Sequence, residues 1–327
     1  MKEILSQLME LKTLSQDEAK TLMTNLGQGV YNDAHLASLL TVFMLRPIAL
    51  SEMLGYREAL LELCIPFKTD YDTIDLCGTG GDGKNTFNIS TLSSIVVAAS
   101  GYKVTKHGNY GVSSASGSSN VMEYFGYTFT NNESILKRQL DQFNICFLHA
   151  PLFHPALKHV AGVRKQMGTK TFFNMLGPLV NPAKPKYKVT GVFNMELARL
   201  YHYILQSENL NYTVLYDLNG FDEVSLTGNV KLYTQTNEAI FQPFEHGFTP
   251  LTLQQIYGGE SVADAAKIFI DILENKSTQA QQDVVVVNAA LAIQCMESNK
   301  KFEECVSIAR ESIVSGKALQ TLKSITT

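Results

Sequence analysis

The sequence TIDLCGTGGDG at residues 73–83 joins a short apolar segment directly to a loop that contains four glycines. The apolar segment, residues 73–77, predicts a β-strand, and a helix closed by Gly101 is predicted at 91–100. The same order of strand, small-residue loop and helix follows at once, with a strand at 103–106 and a helix at 118–125. Such alternation is typical of a mainly parallel sheet covered by helices.

The alternation continues towards the C-terminus. Further strands are predicted at 145–148, 189–193 and 213–218, and further helices at 155–166, 262–274 and 302–314. The apolar run at 284–293 fits a buried strand and a buried helix equally well, because periodicity does not separate the two.

The first 65 residues, in contrast, show only helical patterns. Ser15 and Glu18 form a predicted capping box, Asn32 or Asp33 caps the next helix, and Ser51 caps a third. We therefore predict an α/β protein with a small N-terminal helical domain and a large α/β domain, whose mainly parallel central sheet is flanked by helices.

The composition limits the possible functions. The 327 residues are 45% hydrophobic and 18% charged, which is ordinary for a globular protein, and the length is too great for one small core. The formal net charge of −4 lacks the basic surplus of nucleic-acid-binding proteins, so we expect no nucleic-acid partner. Five cysteines without a CxxC pair are typical of reduced thiols. We see no signal peptide and no bilayer-spanning segment, and we expect a cytoplasmic protein with no membrane partner.

The glycine-rich loop at 78–83 is predicted to bind phosphate. Four glycines allow a ligand to approach the backbone closely, and the position between a strand and a helix presents backbone N–H groups to anionic oxygens. The spacing matches neither the P-loop, whose GK[ST] ending is absent, nor the dinucleotide-binding GxGxxG motif. Asn88, Ser90 and Thr91 at the helix start exceed what capping requires, so their side chains could contact phosphate or hydrated Mg²⁺.

A second loop, KHGNYGVSSASGSS at residues 106–119, follows the next strand. By itself it is typical of a flexible linker, but α/β proteins bind ligands where such a loop joins a strand to a helix. Two loops of this kind predict a ligand with phosphate groups in two places. Asp222 and Glu223, adjacent after a later strand, could hold the cation that such a ligand needs, although a solvated acidic turn is the commoner case.

Residues 154–165 carry five basic or titratable side chains, namely His154, Lys158, His159, Arg164 and Lys165. The spacing of the two histidines does not suit a zinc site on a helix, which requires positions i and i+4. The segment is therefore either a basic surface helix or a site in which the planar guanidinium of Arg164 pairs with a substrate carboxylate.

Seven segments together resemble the anthranilate phosphoribosyltransferase family. They are GTGGD at 78–82, NIST at 88–91, KHGN at 106–109, the serines of 113–119, HPALKHVAGVR at 154–164, NMLGPLVNP at 174–182 and DEVSLTG at 222–228. They cover almost the whole chain in the family's order and spacing. Pyrimidine nucleoside phosphorylases share the fold and a related glycine loop, so GTGGD is not specific, whereas KHGN, NMLGPLVNP and DEVSLTG in one chain are.

The resemblance implies an enzyme of tryptophan biosynthesis that transfers the phosphoribosyl group of phosphoribosyl pyrophosphate to the amino group of anthranilate, with Mg²⁺ as cofactor. It implies a helical domain of residues 1–68 and 167–186 and a large domain of residues 69–166 and 187–327. It also implies an active site in the cleft between the domains and a homodimer formed through the helical domain.

The resemblance also implies the residues of the site. Those expected around phosphoribosyl pyrophosphate are Gly78, Gly81, Asp82, Thr86, Asn88, Ser90, Thr91, Lys106 and Ser118, and the same segments add Ile89, Gly108, Ser113 and Ser114 as substrate-binding residues. The expected Mg²⁺ contacts are Ser90, Asp222 and Glu223. The expected anthranilate contacts are Gly78, Asn109 and Arg164, with His107 and His154 near them. Tyr110 stands where family members often carry arginine.

The implied chemistry requires little activation of the acceptor, because the nitrogen lone pair of anthranilate is available at neutral pH. We therefore assign no general base, and His107 is only a candidate catalytic residue. Domain closure is expected to exclude water. Two rival functions are a nucleoside phosphorylase, opposed by NMLGPL and DEVSLTG, and a nucleic-acid-binding relative without activity, opposed by the net charge and by Asp222 and Glu223.

Overall fold

The structure, a computed structural model, describes residues 1–111 and 116–326. Its α-helices are α1 (Lys2–Met9), α2 (Gln16–Gly27), α3 (Asp33–Leu45), α4 (Leu50–Leu63), α5 (Ile89–Ala99), α6 (Ser118–Tyr124), α7 (Glu133–Phe143), α8 (Ala150–Phe153), α9 (Lys158–Met167), α10 (Met195–Gln206), α11 (Val262–Leu273), α12 (Gln279–Met296), α13 (Phe302–Val314) and α14 (Lys317–Thr326). Its strands are β1 (Ile74–Gly78), β2 (Val104–Gly108), β3 (Ile145–His149), β4 (Tyr187–Gly191), β5 (Asn211–Asp217), β6 (Val230–Thr234) and β7 (Glu238–Phe241). Short 3₁₀ turns lie at Pro155–Leu157, Phe172–Met175, Gly177–Leu179, Pro243–His246 and Leu253–Ile256.

The strands form one sheet in the order β3-β2-β1-β4-β5-β6-β7. The pairs from β3 to β5 are parallel, and β6 and β7 continue the sheet in antiparallel fashion. The prediction of a mainly parallel sheet is therefore confirmed. In β1 and β4 the last residues, Gly78 and Gly191, are direct partners, so the loops after these strands leave the same edge of the sheet. Ligands of open α/β sheets bind at this edge.

The ambiguous segment 284–293 lies inside α12 and is helical. Its side chains are almost all buried, because α12 packs against α5, α13 and the sheet at once. A helix that is covered on all sides must be apolar on all sides, which removes the 3.6-residue period from its sequence. Helix α5 is similarly apolar and begins at Ile89, two residues before the predicted start.

The chain forms two compact units, a helical unit of residues 1–67 and 150–184 and an α/β unit of residues 68–149 and 185–327. These boundaries differ from the predicted ones, because residues 150–166 belong to the helical unit. Ile65 N donates to Phe153 O at 2.8 Å, and helix α9 packs on α2 and α3. The predicted strand 145–148 and helix 155–166 suggested a continued βα alternation, and contacts between segments this far apart leave no local pattern.

Two of the three predicted helix caps are confirmed. Ser15 and Glu18 form the capping box of α2, and the Asn32 side chain accepts from His35 N at 2.9 Å. The prediction for Ser51 is wrong. Helix α4 begins at Leu50, so Ser51 lies inside it, and Ser51 Oγ donates to Leu14 O. The Glu52 carboxylate accepts from Ala49 N instead, at 2.8 Å. Within the described ranges, no helix has the length and apolarity needed to cross a bilayer.

Candidate active site

The glycine-rich loop after β1 is packed against the loop that carries Asp222. The Asp222 carboxylate accepts a hydrogen bond from Gly80 N at 2.6 Å. A Cβ atom at Gly78 would lie 2.4 Å from Asp222 Oδ2, so glycine is required there for the two loops to meet. Gly80 and Gly81 have φ values of +65° and +80°, a conformation that favours glycine. The loop thus takes its shape from its glycines and its position from Asp222.

The N-terminus of α5 receives a carboxylate from the same acidic loop. Glu223 Oε1 accepts from Ser90 N at 2.8 Å, while Asn88, the N-cap residue, makes no side-chain bond to the helix. Asn88 Nδ2 instead donates to Ser116 O at 3.0 Å, which ties the first loop to the second. The Asn88 side chain therefore does not cap α5, and Glu223 accepts from a helical N–H that a cap side chain would otherwise bind.

The second loop begins with two buried residues. Lys106 is 2% exposed and its Nζ donates to Leu76 O, and His107 N donates to Asp75 Oδ1 at 3.1 Å. Asn109 O accepts from Ser118 Oγ at 3.1 Å, so the strand end is fastened to the start of α6. The predicted residues Ser113 and Ser114 lie outside the described residues.

The acidic pair is not the solvated turn that is the commoner case for two adjacent acids. Asp222 is buried and Glu223 is partly buried. Burial, reinforced by the Asp82 carboxyl, raises the pKa of Asp222 to about 7, although the Gly80 N–H opposes the shift. Burial and the neighbouring Asp222 raise the pKa of Glu223 well above its usual range. Both carboxyls are held where too little positive charge surrounds them.

These carboxyls fit Mg²⁺ by their donor chemistry. Across 1–111 and 116–326, no three His, Cys, Asp or Glu side chains form a set that could hold a metal ion alone. Mg²⁺ does not require such a set, since it binds one or two carboxylates, keeps several waters and takes the remaining oxygens from substrate phosphates. Two hard oxygen donors that lack a compensating charge, beside a glycine-rich loop, match this requirement.

Two predicted site residues lie in the helical unit. Arg164 on α9 donates to Asn174 Oδ1 at 3.3 Å and lies over the Phe173 ring, 5.2 Å from its centre. Burial lowers the pKa of Arg164. His154 is 2% exposed and its Nε2 lies 2.9 Å from Val180 O, which fits a neutral ring that donates from this nitrogen.

Comparison with known proteins identifies the family. Residues 2–64 match the helical bundle domain of a glycosyl transferase family, and residues 70–319 match the family's a/b domain. The anthranilate phosphoribosyltransferase of Flavobacterium psychrophilum is 52% identical over 326 residues, which is 99% of this chain and 98% of the relative. That of Bacteroides thetaiotaomicron is 50% identical over 324 residues, with 99% and 98% covered.

The chain belongs to the anthranilate phosphoribosyltransferase family.

Solved structures of the family agree in fold. The Thermus thermophilus enzyme superimposes with a TM-score of 0.90 at 30% identity, and each chain is covered to 98%. The Saccharomyces cerevisiae enzyme, in complex with PRPP and Mg, gives a TM-score of 0.90 at 25% identity, with 98% of this chain and 95% of that one covered. The family resemblance inferred from sequence is thus confirmed, as is the predicted fold class.

The predicted phosphoribosyl pyrophosphate and Mg²⁺ residues gather in one place in the α/β unit. They follow β1, β2 and β5, at the edge where the parallel strands end. Ile89 differs from the others, because its side chain is fully buried in the core and cannot contact a ligand. The predicted anthranilate residues are divided between the units. Gly78, His107 and Asn109 lie in the α/β unit, and His154 and Arg164 lie in the helical unit.

Sequence reasoning missed residues that position the site. Asn288 on α12 clamps the acidic loop, since its Oδ1 accepts from Val224 N at 3.0 Å and its Nδ2 donates to Val224 O at 2.9 Å. The sequence does mark Asn288, because it is the single polar residue in the apolar run at 284–293. Gly191 was also missed; a Cβ there would lie 1.5 Å from Asp222 O, and no motif marks this residue.

Proposed function

We propose that the protein transfers the 5-phosphoribosyl group from phosphoribosyl pyrophosphate to the amino group of anthranilate, giving N-(5-phosphoribosyl)anthranilate and pyrophosphate in tryptophan biosynthesis. One observation carries the proposal: in a chain of this family, a buried acidic pair is held against both a glycine-rich loop and the N-terminus of α5. Together these groups hold metal-binding oxygens beside a phosphate-type loop, where a bound cation would link them to a polyphosphate.

Phosphoribosyl pyrophosphate would bind along the ends of β1 and β2. The backbone N–H groups of Asp82 and Gly83 would donate to phosphate oxygens, because Thr79 N, Gly80 N and Ser90 N already donate to protein oxygens. Lys106 is buried, and its Nζ donates to Leu76 O, two residues before the loop, so the position of its ammonium group is fixed. An ammonium group in low dielectric attracts a phosphate more strongly than an exposed one does.

Mg²⁺ would be held by Ser90, Asp222 and Glu223. The yeast relative was solved with PRPP and Mg, and here the same kind of ion would offset the charge of the two carboxyls. When bound, Mg²⁺ stabilises the negative charge on the departing pyrophosphate. The protein's own part is to hold the carboxyls in place, through Gly80 N and Ser90 N.

Anthranilate would be recognised through its carboxylate. The guanidinium of Arg164 suits a planar carboxylate, and its neighbours Phe173 and Asn174 are a ring and a neutral amide, so neither cancels its charge. Asn109 Oδ1 already accepts from Tyr110 N at 2.8 Å, which leaves the amide N–H groups of Asn109 as donors for an anion.

Bond formation joins the amine nitrogen to the ribose carbon as the carbon–oxygen bond to pyrophosphate breaks. The nitrogen then loses a proton and the pyrophosphate keeps the bonding electrons. No general base is needed for attack, because the amine lone pair is available. His107, 5% exposed at the end of β2, is the candidate group to accept the released proton.

A homodimer formed through the helical unit and a cytoplasmic location stay predictions. The dimer is supported by large apolar side chains that the helical unit exposes, among them Leu45 at 81% and Leu11 at 72%. Exposed apolar side chains that form one continuous patch are typical of an interface, and the dimer prediction requires these residues to form such a patch.

The proposed reaction is tested by mixing protein, phosphoribosyl pyrophosphate, Mg²⁺ and anthranilate and following the loss of anthranilate fluorescence. We expect turnover that stops on addition of EDTA and returns with excess Mg²⁺. A parallel reaction with inorganic phosphate and pyrimidine nucleosides tests the phosphorylase alternative. Turnover of nucleosides without turnover of anthranilate would overturn the proposal.

A further inference from the structure

The loop that leaves β2 is fastened to the start of α6 by its backbone. Asn109 O accepts from Ser119 N at 3.2 Å as well as from Ser118 Oγ. Asn120 Oδ1 accepts from both Gly111 N and Gly117 N, each at 3.0 Å. The described residues on both sides of 112–115 are therefore joined to one helix start.

The side chain of Tyr110 makes a second fastening outside this backbone network. Its hydroxyl donates to Glu123 Oε1 on α6 at 2.7 Å. Its ring packs edge-on against His149, the last residue of β3, with 4.8 Å between ring centres and 79° between planes. The hydrogen bond to Glu123 raises the pKa of Tyr110, so the hydroxyl remains a donor at neutral pH.

The surface that receives the Tyr110 ring is itself rigid. His149 is 5% exposed, stacks on Phe129 with ring centres 4.5 Å apart, and has its Nδ1 2.8 Å from Ser119 Oγ. The tyrosine thus contacts α6 through Glu123 and the end of β3 through His149. Both of its functional parts, the hydroxyl and the ring, are engaged with protein groups.

We infer that Tyr110 is a positioning residue that fixes the direction of the Asn109 amide and so sets the affinity for the acceptor. Asn109 Oδ1 accepts from the backbone N–H of Tyr110, so the amide turns with that residue's backbone. A tyrosine tied at both ends holds this backbone still, and the Asn109 N–H groups keep one direction. The inference rests on the proposed function, in which Asn109 meets the carboxylate of anthranilate.

The test removes the tether without removing the ring. We expect Tyr110→Phe and Glu123→Ala each to raise the KM for anthranilate about three- to tenfold, the scale of one hydrogen bond. The kcat and the melting temperature should stay within error, and the KM for phosphoribosyl pyrophosphate should change less. Glu123→Gln keeps an acceptor for the hydroxyl, so its KM should stay close to that of the wild type.

A double variant and a matched control complete the test. Tyr110→Phe combined with Glu123→Ala should be no worse than either alone, because one hydrogen bond cannot be lost twice. Tyr124→Phe removes a hydroxyl from the same helix at a side chain that is 58% exposed, and should leave all constants unchanged.

Three results would overturn the inference. They are an unchanged KM in Tyr110→Phe, additive effects in the double variant, or a fall in kcat and melting temperature with no change in KM, which would show a purely structural role. A failure of the proposed function is distinguishable, because the wild type itself would then show no turnover of anthranilate.

Discussion

Asp222 lies in an environment that disfavours its ionised form. Its carboxyl is buried and the Asp82 carboxyl adds negative charge, and these effects raise the pKa although the backbone N–H groups of Gly80 and of Asp222 itself oppose them. A group kept at such a cost to folding is typical of a functional site, where stability is given up for binding. Substitution should therefore affect stability and activity in opposite directions.

We predict that Asp222→Asn stabilises the protein in EDTA by about 0.5–2 kcal/mol while abolishing Mg²⁺-dependent turnover. Asparagine can still accept from Gly80 N, but it carries no charge to repel its neighbours or to bind the cation. Urea unfolding in EDTA and the fluorescence assay measure the two effects. Asp70→Asn, at an exposed carboxyl, is the control. A destabilised variant that keeps its activity would contradict the assignment.

Arg164 gives a prediction about substrate preference. Arg164→Ala should raise the KM for anthranilate about ten- to a hundredfold, equivalent to about 1.5–3 kcal/mol, because a charged hydrogen bond to the carboxylate is lost. The KM for phosphoribosyl pyrophosphate should change much less. Lys165→Ala, at the exposed next residue, is the matched control. Equal changes in both KM values would indicate a structural role for the arginine.

His154 makes the stability of the helical unit depend on pH. Burial lowers its pKa from 6.5 to about 4, although the carbonyls of Val180 and Leu60 favour the protonated ring. As the pH falls, His154 is therefore protonated near pH 6.5 in the unfolded chain but only near pH 4 in the folded chain. The stabilisation is complete above pH 6.5 and is lost as the pH falls towards 4.

We expect this loss to be about 3 kcal/mol, from the size of the shift in a buried group. Urea midpoints measured between pH 7 and 4 should fall, and His154→Gln should flatten the part of the curve that the histidine causes. His159→Gln, at an exposed histidine on the next helix, should leave the curve unchanged. A wild-type curve that the His154 substitution does not alter would refute the prediction.

At the scale of elements, prediction succeeded where a local pattern exists. Helix α2 carries its capping box in four consecutive residues, and β1 and β2 each run directly into a small-residue loop. Helices α7, α10 and α14 were left unassigned, although α10 buries Leu197, Tyr201 and Leu205 at helical spacing. Strand β7 has no such signal, since three of its four residues are exposed. Strands that pair at the sheet edge take their structure from their partners.

The segment between the glycine-rich loop and α5 is also held by residues that no motif marks. Thr86 forms an isolated antiparallel bridge with Tyr257, and Gly258 N donates to Asn85 O at 2.8 Å. Asn85 Nδ2 returns a bond to Gly259 O at 2.9 Å. A segment more than 170 residues later in the chain thus holds the loop before α5.

We predict that Gly258→Ala weakens phosphoribosyl pyrophosphate binding. A Cβ there would lie 2.6 Å from Thr86 O, so the loop must move away. The KM for phosphoribosyl pyrophosphate should rise about tenfold, which is 1.4 kcal/mol, with a smaller effect on the KM for anthranilate. Gly162→Ala places the same methyl group in open space and should leave the KM for phosphoribosyl pyrophosphate unchanged. Wild-type kinetics in Gly258→Ala would show that the bridge does not set the loop.

At the scale of the whole molecule, the sequence marked candidate site residues but could not bring them together. The motifs marked loops that the structure places after β1, β2 and β5, because each motif lies beside a recognisable strand. The approach of Asp222 to Gly78 joins residues 144 positions apart, and it depends on strand order that no local pattern encodes. The return of residues 150–166 to the helical unit escaped prediction for the same reason.

The exposed apolar side chains of the helical unit lead to the last prediction. Met44 and Leu45 end α3 with exposures of 46% and 81%, while Leu11 and Val30 are 72% and 60% exposed. Burying side chains of this size in a symmetric interface stabilises association by about 1.5–3 kcal/mol each. We therefore predict that the 36.2 kDa chain sediments as a dimer.

Leu45→Asp should raise the dimer Kd at least about tenfold, since it both removes apolar area and buries a charge. Val314→Asp makes the same change at a 59% exposed residue of the α/β unit and should leave the mass unchanged. A wild-type monomer at micromolar concentration, or a Leu45→Asp dimer as stable as the wild type, would contradict an interface at this end of α3.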